Sequence, residues 1–157
     1  AACGSGDSSD EAAPPTPSGV SGAAAEAAGA AIDACTLVSA DQITALMGTP
    51  TVGEPTGDNP EMPGCIWENP ETFESVSVEI GNPGTAANGT LPPTEPGMSD
   101  PTTPGPDGMR FLGSGVVEFP AAKRASTVQV AVNTLRGEDA DDAAVDLARQ
   151  ISAQLNG

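Results

Sequence analysis

The sequence predicts an α+β domain: an antiparallel sheet of about four to five strands, an N-terminal and a C-terminal helix on one face, and one disulfide. Three observations predict it. Apolar residues recur at helical spacing near the start of the apolar part of the chain, in Ile43, Leu46 and Met47, and at its end, in Ala144, Leu147, Ala148, Ile151 and Leu155. Between these segments the pattern switches to alternation, with Val76, Val78 and Ile80 on one side and later Val128, Val130 and Val132. The strand-like runs are joined by turn residues, which favours antiparallel pairing.

Taken in order, residues 1–32 read as a disordered, acidic tether. Ala, Gly, Ser and Pro dominate, and apart from Val20 and Ile32 nothing is large and apolar, so no core can form there. The run Ala23–Ala28 between Gly22 and Gly29 is too short to hold as an isolated helix. A single domain spans 33–157. Ser39-Ala40-Asp41-Gln42 is a capping box that starts the first helix, and Gly48 with Pro50 ends it. Thr51-Val52-Gly53 opens a short extended piece, and Asp58-Asn59-Pro60 and Met62-Pro63-Gly64 are turn chemistry.

Cys65-Ile66-Trp67-Glu68 reads as a strand ended by Asn69-Pro70, and Phe73–Ile80 as a half-buried strand. Residues 82–108 hold seven Pro and five Gly, which excludes regular structure and leaves a disordered insertion or a lid or contact loop. Met109–Phe119 is apolar but broken by Gly113 and Gly115, with a strand at Val116–Phe119 closed by Pro120. Ser126–Leu135 is the clearest strand, and Glu138-Asp139-Ala140-Asp141-Asp142 opens the last helix with acids near its positive end.

The 157 residues suffice for one domain. With three Phe, one Trp and no Tyr, the core falls to Val, Ile, Leu and Ala. The net charge is −17, and residues 1–109 carry 16 acids and no base. No cluster of Lys and Arg exists to hold phosphates, so nucleic acid is excluded as a partner, as is purely electrostatic docking to an anionic membrane. The acidity serves solubility.

Three cysteines separate by context. Cys3 stands alone near the start, whereas Cys35 and Cys65 lie in the apolar part of the chain and make a disulfide pair, which implies an oxidising compartment. Closing the 29 residues between them would stabilise by about 3–4 kcal/mol. Trp67 falls on the same strand face as Cys65, either packing beside the bridge or offering a ligand platform.

Ala1-Ala2-Cys3, followed by a Gly/Ser/Asp/Pro tail, resembles a bacterial lipobox, in which the lipoprotein signal peptidase cuts before a cysteine preceded by small residues. Cys3 is then the site of lipid attachment, through diacylglycerol and an amide-linked chain such as palmitate, and several acyl chains together anchor a protein stably. A flexible tail of about 30 residues spans roughly 30 Å, enough to lift the domain off a bilayer. No apolar run of 18 residues occurs.

From Asp33 onward, Cys35-Thr36-Leu37-Val38-Ser39, the short helix ending at Gly48, Gly64-Cys65-Ile66-Trp67, Phe111-Leu112-Gly113 and the Ala-rich last helix follow one another in this order. The chain resembles the actinobacterial envelope lipoproteins that share a C-x-L-x-S … G-C-x-W domain of unknown function, including mycobacterial lipoproteins of the Lpr series. The resemblance implies an exported, lipid-anchored domain with a Cys–Cys bridge on the extracytoplasmic face of the cell membrane, and it brings no catalytic residues.

The chemical inventory agrees with a non-catalytic role. The chain has no His, which removes the usual general base, the Ser-His and Cys-His nucleophile systems and the commonest zinc ligand. Lys123, the sole Lys, sits beside Arg124 in a segment that reads as solvated surface. Cys35 and Cys65 form no CxxC, and a glycosidase cleft would need aromatics this chain lacks. Asp139, Asp141 and Asp142 have no EF-hand spacing and read as helix-start residues, and Met47, Met62, Met98 and Met109 are too scattered for Cu(I). No catalytic residue, metal or cofactor is therefore expected. The sequence predicts a monomer anchored to the membrane through Cys3, whose domain binds an envelope protein or a small apolar ligand. An accessory or sensor subunit acting by contact through 82–108 is the alternative.

Overall fold

The computed structural model describes residues 32–93 and 95–156. Cys3 and the expected tether up to residue 31 lie outside the described residues. Ile32, placed in the tether by the sequence, packs half-buried against the core.

A 3₁₀ turn over Ala34–Thr36 leads into helix α1 (Ala40–Met47). The predicted capping box is present: Ser39 Oγ accepts from Gln42 N, and Gln42 Oε1 accepts from Ser39 N, each at 3.2 Å. Gly48 ends the helix with φ at 78°, and its N–H donates to the Thr44 carbonyl. Ile43 and Met47 are buried, whereas Leu46 is half-buried.

The strands are β1 (Gly53–Thr56), β2 (Gly64–Glu68), β3 (Ser75–Glu79), β4 (Thr103–Pro104), β5 (Arg110–Gly113), β6 (Val116–Ala121) and β7 (Arg124–Ala131), followed by helix α2 (Glu138–Asn156). They form one antiparallel sheet in the order β1-β2-β3-β7-β6-β5-β4. The α+β class, the antiparallel sheet, the two helices and the disulfide are as the sequence predicts. The strand number is corrected from four or five to seven, the additions being β4 and β5. A register shift between Phe111 and Gly113 leaves Leu112 unpaired, a bulge that breaks the alternation by which β5 would be read.

Cross-strand register builds the core in rows. Cys65 pairs with Val78 and Trp67 with Val76; Val128 and Val130 continue these rows into β7, Val117 carries the Cys65 row on into β6, and Phe119 lies opposite the buried Ser126. These side chains share one buried cluster with Ile43 and Met47 of α1 and with Ala144, Leu147, Ala148 and Ile151 of α2. Residues between them, such as Ser77, Glu79, Thr127 and Gln129, are half-buried or exposed. Helix α1 packs on β3 and α2 on β6 and β7. The two helices meet through Gln42 and Gln150, whose amides exchange hydrogen bonds.

Because β7 lies beside β3, residues 80–102 must carry the chain from the middle of the sheet to its far edge at β4. That crossing covers four strand spacings, about 19 Å. The 82–108 stretch, expected to lack regular structure, carries 3₁₀ turns at Ala87–Gly89 and Pro106–Gly108 and the two residues of β4. Pro120, expected to close a strand, lies inside β6 instead. The pairing to β5 ends at Glu118, so Pro120 sits where β6 has an open side and tolerates the missing donor.

The β6–β7 hairpin turns on Ala122 and Lys123, with φ of 51° and 62°. Two positive values define a type I′ turn, which Asn-Gly fills with least strain. Lys123 is exposed, and its carbonyl, accepting from Gly84 N and Ala86 N, belongs to the backbone. Lys123→Gly is therefore expected to raise the unfolding free energy by about 1 kcal/mol, read as a higher urea midpoint.

Candidate functional site

The disulfide joins Cys35, in the 3₁₀ turn, to Cys65 in β2, with Cα atoms 5.1 Å apart. Asp33 prepares the turn: its Oδ1 accepts from Cys35 N at 3.0 Å. Trp67 is 4% exposed and lies in the core row beside the bridge. It is a packing residue with no free face on which a ligand could stack. Gly53, its partner on β1, allows this arrangement. A Cβ there would come within 2.5 Å of Trp67 Nε1 and 2.7 Å of Cys65 Sγ, so β1 can close over the indole and the bridge only with glycine.

At the end of the sheet where β1 begins and β2 ends, the surface changes character. Val52 is 84% exposed and Phe73 78%. Phe73, read from the sequence as the first residue of a strand, instead holds a φ of 63° in the β2–β3 turn. That value is a genuine outlier for a bulky residue. A set of hydrogen bonds fixes it. Asn69 O accepts from Phe73 N at 2.7 Å, and Asn69 N donates to Glu74 O at 2.9 Å. Asn69 Oδ1 accepts from Glu71 N, the Thr72 hydroxyl donates to Glu74 Oε2, and Glu74 Oε1 accepts from Asn133 N on the neighbouring strand's extension. A groove of about 570 Å³ runs along this end between Thr49–Val52 and Glu68–Glu71. The Asn-Pro pair signals the turn in the sequence, but nothing there marks Phe73 as left-handed.

The bases are mostly committed elsewhere. Arg110 pairs with Glu118 at 2.5 Å and donates to the Pro92 carbonyl at 2.8 Å, which pins the 82–108 stretch to β5 and β6. Arg149 pairs with Asp107 at 2.7 Å, and the hydrogen bond to that carboxylate raises the guanidinium further above its ordinary value. Arg124 is corrected from surface to interior. It is 7% exposed and donates to the carbonyls of Glu61 and Gly81, tying the β1–β2 connection to the end of β3. Within the 82–108 stretch, the Thr102 hydroxyl and N–H both donate to Asp100 and hold its carboxyl below the ordinary range.

The other residues singled out by the sequence do not come together. Asp141 Oδ1 accepts from Gly115 N at 2.7 Å, so it serves the β5–β6 turn as well as the helix start. Met47 and Met109 are buried in the core and Met98 is exposed. Among the described residues no three His, Cys, Asp or Glu side chains cluster as metal ligands. No described helix is long and apolar enough to cross a membrane. Two further hollows are surface grooves: one of about 220 Å³ between α1 and α2, lined by Leu46, Ala143 and Leu147, and one of about 380 Å³ between Phe111, Leu112 and the start of α2. Comparison with family models, with curated proteins and with solved structures gives no match.

Proposed function

We propose that the chain is a lipid-anchored envelope protein of the actinobacterial kind, held on the extracytoplasmic face of the cell membrane by acyl chains on Cys3. On this reading its domain acts without catalysis, by contact with another protein. One observation carries the contact reading over the ligand reading. A small apolar ligand would need an enclosed apolar hollow between the helices and the sheet, yet the described hollows all open at the surface, including the shallow one between the two helices lined by Leu46, Ala143 and Leu147. Meanwhile Ile43, Val76, Phe119, Val128 and Ile151 meet in the interior with no measurable exposure. The anchor reading is supported by the lipobox-like Ala1-Ala2-Cys3 segment and by a disulfide, which belongs to oxidising compartments.

Expression with a lipoprotein leader in a host with the lipoprotein pathway tests the anchor. The expected intact mass exceeds that of the polypeptide by the diacylglyceryl and acyl groups, and Cys3→Ser moves the protein from the membrane fraction to the soluble one. An unshifted mass for the parent chain would count against the anchor. Native mass spectrometry of the same material tests the contact reading: a co-purified protein supports it, and a co-purified small lipid-like molecule supports the ligand reading instead.

A further inference from the structure

We infer that the end of the sheet bearing Val52 and Phe73 is the docking surface, and that its partner is a basic polypeptide segment with an apolar anchor residue; this rests on the contact reading above. Among the described residues, Val52 and Phe73 are the most exposed of the large apolar side chains. Register places them at one end of the sheet: Gly53 pairs with Trp67 and Glu68 with Ser75, so Val52 and Phe73 each lie just beyond the paired residues.

Phe73 is also held there against its own preference. A left-handed residue in a turn is normally Gly or Asn, because other side chains meet the backbone in that conformation. The hydrogen bonds through Asn69, Thr72 and Glu74 impose it nonetheless, and the ring stands in solvent. Folding gains nothing from that exposure, whereas a binding surface would gain an aromatic anchor.

Charge selects the occupant. Glu68 and Glu71 are exposed and line the groove, and Glu54 is exposed in the adjoining β1. Of the five bases, Arg110 and Arg149 are paired with acids, Arg124 is buried, and Lys123 lies in the hairpin turn at the opposite end of the sheet. Arg136 is the base at this end, and its Nε donates to the Asn133 carbonyl. An acidic rim around an apolar centre repels anionic lipid and a second copy of itself, and it attracts Lys- and Arg-bearing polypeptide.

The test is photo-cross-linking of the full chain in the cell that makes it, with p-benzoylphenylalanine placed at Phe73 or Val52 and, for comparison, at Met98 or Leu112. A discrete protein adduct is expected from positions 73 and 52 and none from 98 or 112. The cross-linked partner segment should carry net positive charge, and Glu68→Gln with Glu71→Gln should lower the yield about fivefold or more. Phe73→Asn, which suits the left-handed backbone, should keep the melting temperature at or above that of the parent while the Val52 adduct is lost. Adducts from 98 or 112 alone overturn this site and leave the contact reading standing. No adduct from any position overturns both. Adducts to lipid, to a second copy or to a segment without positive charge overturn the proposal, as does a Phe73→Asn protein that folds and retains the Val52 adduct.

Discussion

Replacing Cys35 and Cys65 together by alanine is expected to lower the unfolding free energy by about 2–5 kcal/mol. The bridge spans 30 positions of sequence, so its loss releases a long loop in the unfolded chain. The native state loses as well. The 3₁₀ turn at Ala34–Thr36 packs on β1 and β2, and the bridge is its covalent tie to the sheet. Its other ties are weaker: the Asp33 cap, and the Leu37 carbonyl accepting from Gln154 at 2.7 Å. Small domains hold about 5–15 kcal/mol in all, so the variant should unfold at a markedly lower urea concentration. Adding a thiol reductant to the parent protein should give a similar shift, because both remove the same constraint. Amide exchange should speed up first in α1, which follows the released turn. A urea midpoint that does not move in either experiment would mean that the packing alone carries the domain.

The parts of the fold that were legible in the sequence are those governed by local rules. Ser39 and Gln42 announce a helix start because a capping box needs two residues three apart, and the box is there. Val76 and Val78, and Val128 and Val130, announce strands because one face is buried, and these residues pair directly across β3 and β7. Strand β5 was hidden by its bulge at Leu112, and β4 is two residues long and contains Pro104. The length of the 82–108 stretch looked like an insertion because nothing local reveals that β7 returns to the centre of the sheet. The chain needs that length to reach the far edge.

The candidate site was less legible for a related reason. Alternation assigned Phe73 to a strand, since the apolar period runs through it; the turn is set by Asn69, Thr72 and Glu74 bonding back, with Asn133 more than fifty residues away. Arg124 read as surface because charged residues usually are. It is buried because two carbonyls, on Glu61 and Gly81, converge on it only once β1–β2 and the end of β3 are assembled. The cysteines and Trp67 came through clearly, and the structure makes them one unit rather than a staple with a neighbour.

That unity sets the second large effect. Trp67→Ala is expected to cost about 3–5 kcal/mol, the range for removing a large buried aromatic from a core that cannot collapse fully around the gap. Collapse is hindered on both sides. Gly53 of β1 has no side chain to move into the space, and Cys65 is held by its bond to Cys35. The row neighbours Val76 and Val130 are short and β-branched, with little freedom to reach inward. Trp67→Phe keeps most of the ring volume and should cost clearly less. The same geometry makes the two largest effects interdependent. A point beside Gly53 Cα lies 2.5 Å from Trp67 Nε1 and 2.7 Å from Cys65 Sγ, so the indole and the bridge wall the same small space. With the bridge removed, the turn and β2 gain freedom to close over a missing indole, and the triple variant should lose less than the two changes added together. A coupling of about 0.5–3 kcal/mol in a double-mutant cycle on urea unfolding is the expected result. Strict additivity would show that the bridge holds the N-terminal turn without constraining how the Trp67 site is packed.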